Sequence, residues 1–570
     1  MKKTSKIIIA LILCFCALLT SCSPSVTPHV VENEIKDKSG KYVLSTRGEA
    51  IINDIELTNA KETADNNRVF YEIFVGSFSD SNGDGTGDLR GIINKFDYLN
   101  DGDDASGVSL GVEGIWLTPI FKSPSYHKYD VTDYYAVDPA FGTVDDLKEL
   151  IALCHARNVK IIIDLPINHT GYMNKWYSEF VVAHRQNDTE NKYYDFYSFY
   201  KKEDGAPAGR NYSQISGTTD YYECNFSGDM PELNFDSEYV REEVLNIAKY
   251  YLEMGIDGFR FDAAKYIYFG DNEKCVEFWS WYLSELRAID PDIYTVAEVW
   301  DGDGITDLYY PALDCFDFST SQVSGLIAET AKAGNVNKYT AYVENYVQNV
   351  GAMRDGAMII PFVTNHDMDR AAGFLTEASG NIKMAANLYI LSSGSPFIYY
   401  GEELGMRGSR GGAQTDANRR LAMVWGDGDT VKDPIGSTYP ASSQTDQTAT
   451  IQKANGDSLY SYYKKLIMIR KANPEICRGE YRALNFADTK VGGFTSTYEE
   501  KTVCVIHNTT KNTVTVDLKN VTSITFSAIS ASIGADAPTI DEDGNPITPV
   551  AASLDGTMLT IPAQTSVILR

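Results

Sequence analysis

VKIIIDLPINH, residues 159–169, opens on a near-continuous apolar run and closes on the polar Asp164, Asn168 and His169. The run reads as a strand. Before it, Thr143 and Asp146 make a capping signal, Leu147, Leu150, Ile151 and Cys154 follow at helical spacing, and Asn158 can stop that helix. The same rhythm spreads in both directions. VFYEIFV (Val69 to Val75) and Gly114 to Leu117 are earlier strands; a helix from Ser237, stopped at Gly255, leads into GFRFD, and another from Cys275 to Ile289 leads into YTVAEVW. Ala312 to Phe316, Met358 to Val363 and Pro396 to Tyr400 complete eight strand candidates. Strands separated by helix-length segments pair in parallel through crossovers, and eight of them favour an α/β fold of the (β/α)8 TIM-barrel type over an open sheet.

Two stretches break the rhythm. Residues 168–234 are polar and tyrosine-rich and read as a small domain inserted after the third strand. Beyond the helical segment Leu459 to Lys471, Pro474 marks a change to short alternating runs such as TVCVIH and TVTVDL, so residues 474–570 read as a C-terminal all-β sandwich. The barrel with its insert then occupies residues 67–473.

The N-terminus is of another kind. Lys2, Lys3 and Lys6 precede an apolar run, Ile7 to Leu19, that is shorter than the ~20 residues of a membrane span, so residues 1–21 read as an export signal. Leu19-Thr20-Ser21-Cys22 resembles a bacterial lipobox, which makes Cys22 the expected lipid-modified residue and residues 22–66 a polar tether. The expectation is an exported protein, lipid-anchored at a bacterial cell surface or outer membrane, or facing the periplasm, with no other membrane contact. Of the remaining cysteines, none falls at a spacing that marks a disulfide framework or zinc site. A net charge of −28 repels phosphate backbones, so no nucleic-acid partner is expected.

Polar residues gather at the strand ends, where barrel enzymes build their active sites. Asp164, Asn168 and His169 follow strand three; Arg260 and Asp262 end strand four, Glu298 ends strand five, and Asn365, His366 and Asp367 end strand seven. Carboxylates at three strand mouths suit glycoside hydrolysis, which needs a carboxylate and a carboxylic acid flanking one bond. Arg260, two residues before Asp262 on one face of a strand, can hold that carboxylate ionised.

In order and spacing, DLPINH, GFRFDAAK, AEVW and FVTNHD resemble the four main conserved regions of the α-amylase family, glycoside hydrolase family 13; GIWLTPI, MPELN and GSPFIYYGEE resemble three auxiliary ones. The resemblance covers Val69 to Lys471. It implies Asp262 as nucleophile, Glu298 as general acid/base and Asp367 as the third carboxylate, with retention of anomeric configuration. It also implies His169 and His366 as hydrogen-bond partners of the sugar before the cleaved bond, Tyr129 as the aromatic beneath that sugar, and Asp130 as an ion-pair partner for Arg420. Ala263 and Lys265, after the nucleophile, resemble the α-1,4-cleaving members. The implied substrate is an α-glucan, starch or a maltodextrin. MPELN (Met230 to Asn234) departs from QPDLN toward the MPDLN of an intermediate subgroup, so neopullulanase, cyclomaltodextrinase or 4-α-glucanotransferase activity is the alternative. A non-catalytic glucan-binding lipoprotein is disfavoured because all three carboxylates and Arg260 are present.

Asp80, Asn82, Asp84 and Asp88, with the Thr86 carbonyl, set oxygen ligands at alternate positions of DSNGDGTGD, a pattern suited to Ca²⁺. Gly91 stands where an EF-hand has its bidentate glutamate. The resemblance would place a second calcium at Asn168, but Tyr266 replaces its histidine ligand. Oligomeric state has no signature in the sequence.

Overall fold

A computed structural model describes residues 34–36, 42–44, 67–103, 106–376, 380–413, 415–535 and 551–570. The export signal, Cys22 and most of the tether lie outside them. Within the tether region Glu34–Lys36 and Tyr42–Leu44 pair as a short antiparallel ladder.

The body is a parallel barrel. Strands β1 (Phe70–Ile73), β2 (Gly114–Leu117), β3 (Lys160–Leu165), β4 (Gly258–Phe261), β5 (Tyr294–Ala297), β6 (Asp314–Cys315) and β7 (Phe397–Tyr399) hydrogen-bond in the order β6-β5-β4-β3-β2-β1-β7. Residues 360–362 close the ring through parallel bridges from Phe316 to Ile360 and from Phe362 to Phe397. The segment expected as a seventh full strand is thus reduced to two bridges. Period-two alternation sends Phe70, Trp116, Ile162, Tyr294, Val296, Phe316, Ile360, Phe362 and Phe397 into one buried interior cluster. Gly114 makes room for it, since a Cβ there would stand 2.4 Å from the Phe70 ring.

The outer helices follow their sequence signals closely. Thr143 and Asp146 form a reciprocal capping box on the helix Val144–Ala156, and Asn158 takes a left-handed φ of 53° just beyond it. The helix Glu238–Met254 ends on Gly255 at φ 107°, a conformation that excludes most side chains. Glu402 and Glu403 tie β7 to the shell: Tyr389 and Tyr463 donate to Glu402, and Tyr71 and Tyr98 donate to Glu403.

After β3 the chain forms the inserted unit, a helix Lys175–Gln186 and a three-stranded sheet of Phe199–Tyr200, Tyr212–Gln214 and Tyr221–Glu223. Its tyrosines pack on one another and on histidine: Tyr200 stacks on Tyr221 at 5.2 Å and Tyr194 on His184 at 4.2 Å. At the C-terminus a five-stranded and a three-stranded antiparallel sheet enclose their own core, with Val491, Cys504, Ile506, Leu559, Ile561 and Val567 buried. The cysteines at 154, 224, 275, 315, 477 and 504 are buried free thiols. No helix among the described residues is long and apolar enough to cross a membrane.

Candidate active site

The alternation that fills the barrel also builds the site. Arg260 faces inward on β4 opposite Val296 on β5, so continuing each strand by two residues brings Asp262 and Glu298 to the same mouth. Arg260 is 0% exposed and joins three carboxylates: Nη1 donates to Asp164 at 2.8 and 3.0 Å and to Asp262 at 2.6 Å, and Nη2 reaches Glu298 at 3.0 Å. The face of Trp116 backs its guanidinium at 5.2 Å. Ala263, the residue after Asp262, holds a left-handed φ of 49° and aims its N–H at Glu298 Oε2, 3.0 Å away. A non-glycine residue in that region is strained, and here the strain points an amide at a carboxyl group.

Burial raises the pKa of Glu298 to about 7; Arg260 opposes this, while the charges on Asp262 and Asp367 reinforce it. Burial likewise lifts Asp164 to about 7 against the pull of Arg260. Asp367 goes the other way: burial would raise it, but His366 and Arg420 hold it well below the usual carboxylate range. His366 is itself pushed up to about 10, because Asp367 and Glu72 outweigh its burial. Its Nδ1 sits 2.5 Å from Glu72 and its Nε2 lies 3.2 Å from Asp367 and 2.7 Å from the Tyr129 hydroxyl, which in turn donates to Asp164 at 2.8 Å.

The residues expected from the sequence therefore converge, with one difference in pairing. Arg420 does not pair with Asp130. It donates to Asp367 Oδ1 at 2.5 Å, to the His366 carbonyl at 3.0 Å and to Tyr126 at 3.2 Å, while Asp130 accepts from the hydroxyls of Ser123 and Ser125. The physical reason is proximity to demand: Asp367 at the open mouth is the carboxylate that lacks Arg260, and Asp130 is already satisfied by local turn hydroxyls. His169 is buried, burial lowers its pKa to about 4, and its Nε2 has no hydrogen-bond partner among the described residues. Lys265 reaches the Trp300 carbonyl at 2.7 Å and Asp301 at 3.0 Å. Trp300 is 39% exposed and stacks on Phe318. Beside Asp367 a cleft of about 1040 Å³ runs past Trp300, Arg407, Arg410 and Tyr439.

Sequence reasoning missed Glu72, Tyr126 and the partner role of Asp164. Glu72 had a signal: it is the one charged residue in the apolar run VFYEIFV, and a carboxylate in a buried strand requires a partner. Tyr126 had none.

The loop 80–88 contains the donor types that suit a hard cation, wound here into turns on its own backbone. Asp80 accepts from the amides of Asn82, Gly83 and Gly85 and from the Thr430 hydroxyl, Asp84 accepts from the Thr86 amide, and Asp88 caps the helix Leu89–Asn94 at Gly91. Among the described residues no three acidic, histidine or cysteine side chains converge on a common point that could hold a metal ion. At the second expected position Tyr266 packs between Phe226 and Phe269, and Asn168 lies beside His169. No step of the chemistry below runs through a metal.

The model of the alpha-amylase catalytic domain matches residues 72–479, a span that contains every one of these site residues. The chain belongs to the α-amylase family. It is 34% identical over 458 residues to alpha-amylase 3 of Dictyoglomus thermophilum, covering 80% of this chain and 87% of that protein. It is 30% identical over 426 residues to the 4-alpha-glucanotransferase of Thermotoga maritima, covering 73% and 89%. Among solved structures, Eubacterium rectale Amy13B superposes with a TM-score of 0.79 at 33% identity, over 90% of this chain and 98% of that one. The barrel of this α-amylase family member and its C-terminal β-domain thus share one architecture with known relatives.

Proposed function

We propose that this protein is a retaining α-amylase that cleaves α-1,4 bonds of starch and maltodextrins. The observation that carries the proposal is the bridging of Asp262 and Glu298 by the single buried guanidinium of Arg260. Two carboxyls within the reach of one such group favour the ~5–5.5 Å separation of a retaining enzyme over the ~6.5–9.5 Å that leaves room for an inverting water. In this reading Asp262 attacks the anomeric carbon while Glu298 gives its proton to the departing glycosidic oxygen, leaving a glycosyl ester on Asp262. Glu298, now a carboxylate, takes a proton from water as that water attacks the same carbon, which frees Asp262 and restores the α configuration. Asp367, held ionised by His366 and Arg420, accepts hydrogen bonds from ring hydroxyls. In the same reading the Nε2 of buried His169, without a partner among the described residues, donates to or accepts from a sugar oxygen, and the Tyr129 ring takes the apolar face of the sugar.

The MPELN stretch at Met230 to Asn234 and the likeness to a 4-alpha-glucanotransferase and a cyclomaltodextrinase support a second reading as one of these activities of the intermediate subgroup. Product analysis separates the two. An α-amylase releases short maltooligosaccharides from amylose faster than it opens pullulan or cyclodextrins; preferential pullulan cleavage, or longer chains accumulating from maltotriose, would reverse the assignment.

Two attachments complete the proposal. The loop 80–88 is the candidate structural Ca²⁺ site, where Asp80, Asn82, Asp84, Asp88 and the Thr86 carbonyl would supply oxygen ligands to the ion. Excess EDTA is expected to lower the melting temperature by several degrees and added Ca²⁺ to restore it; an unchanged melting curve removes the ion from the account. Cys22 carries the lipid that holds the enzyme at the cell surface. Cys22→Ala is expected to release the protein from the membrane fraction, and full retention there would contradict the anchor.

A further inference from the structure

At the N-terminal end of the barrel, opposite the catalytic carboxylates, a cavity of about 560 Å³ lies in the seam between the starts of β5 and β6 and the first residues of the β-domain. Three guanidinium groups, Arg287, Arg354 and Arg478, line it together with the carboxylates of Asp292 and Asp314. Arg354 is committed to Asp314 and to the Tyr310 carbonyl. Arg287 is not committed in this way. It is half-buried at the end of the helix Asn272–Ile289, and its hydrogen-bond partner among the described residues is a single carbonyl, Ala312, 3.0 Å from Nη2. A guanidinium has five N–H donors, so most of those on Arg287 are left to the cavity and solvent. Burial and the neighbouring charge of Arg354 pull its pKa down, against the opposing charge of Asp314.

Such an arrangement runs against the rest of the molecule. The chain carries a net charge of −28, yet three guanidinium groups line this one concave seam, with one of its two carboxylates, Asp314, already taken by Arg354. The forked donors of arginine match the oxygens of tetrahedral oxyanions, and a partly desolvated pair of such donors is the usual means of gripping them.

We propose that this seam cavity is a binding site for a small oxyanion of the phosphate or sulfate type, held by Arg287 with Arg354 and Arg478 beside it. Arg287 belongs to a barrel helix and Arg478 to the short helix Glu475–Arg478 that opens the C-terminal unit, so an anion held by Arg287 lies at the junction of the two. The site is separate from the glucan cleft and does not depend on the hydrolytic reading.

Titration calorimetry of the full chain with inorganic phosphate, at ionic strength matched with sodium chloride, tests this. One saturable site with a dissociation constant below about 1 mM is expected. Arg287→Gln should weaken it at least about tenfold while starch turnover stays within about twofold, showing that the variant is folded. Arg287→Lys, which keeps the charge and loses the fork, should fall between the two. Wild-type protein that shows no saturable binding up to about 20 mM overturns the proposal. So does undiminished binding by Arg287→Gln, or displacement of phosphate by a maltooligosaccharide, which would assign the heat to the arginines of the cleft.

Discussion

Glu298→Gln is expected to lower kcat for soluble starch by at least about a thousandfold, within the 10²–10⁴ that a positioned general acid contributes and with further loss from the second step. The substitution preserves shape, and the Ala263 amide can still donate to the remaining carbonyl oxygen at the position of Oε2. What disappears is the proton. An alkoxide leaving group from glucose is poor without it, whereas an aryl glycoside with an acidic phenol departs unaided. On such a substrate the variant should form the glycosyl ester at a rate near that of wild type and then stall, giving a burst followed by slow release. Turnover of starch near the wild-type rate would remove Glu298 from the acid/base role. The wild-type enzyme has a matching pH signature. Burial sets Glu298 at about 7, so the proton it must donate is present below that pH and is lost above it. kcat should therefore decline on the alkaline side with a midpoint near neutrality, and that limb should be absent for the first step of the aryl glycoside reaction.

Arg260→Met is expected to damage both folding and chemistry. The native guanidinium, 0% exposed, contacts Asp164, Asp262 and Glu298 at once and supplies the one positive charge among them. Removing one partner from a buried ionic cluster leaves charges without compensation and costs about 3–5 kcal/mol, a large share of the stability of an ordinary domain. Urea unfolding followed by tryptophan fluorescence would record this as a lower midpoint with an unchanged slope. In the fraction that folds, Asp262 loses the donor at 2.6 Å that orients its carboxylate for attack. Activity should fall by at least about a thousandfold at neutral pH. Arg260→Lys separates the two effects. It returns a positive charge and much of the stability, but a single ammonium cannot hold Asp262 and Glu298 in the relative positions fixed by one planar fork, so activity should remain depressed by about a hundredfold or more. An Arg260→Lys enzyme with wild-type turnover would show that charge alone matters and that the bridging geometry does not.

Much of this arrangement was legible residue by residue. Strand runs ending in polar residues located Asp262, Glu298 and Asp367, because barrel strands must alternate inward and outward and their C-terminal ends open into one mouth. Helix boundaries were legible where capping chemistry is local, as at Thr143 and Asp146, or where only glycine suits the backbone, as at Gly255. The strand expected from Met358 to Val363 was less so, since its apolar composition could not reveal that only Ile360 and Phe362 bridge their neighbours. The partner of Arg420 was not legible either: Asp130 and Asp367 lie in different loops, and choosing between them requires knowing which already has other donors.

The sequence by itself determined the barrel, the inserted and C-terminal units, and the three carboxylates at its mouth, because alternation, caps and strand-end polarity act over a few residues. Only the tertiary structure decided the electrical state of the site. Whether Glu298 keeps its proton, whether His366 is charged, and which carboxylate Arg420 serves depend on burial and on charges brought together from β1, β3, β4 and β5 and the loops after them. Those quantities arise from the summed field and desolvation of groups up to hundreds of residues apart, which no local reading of the chain contains.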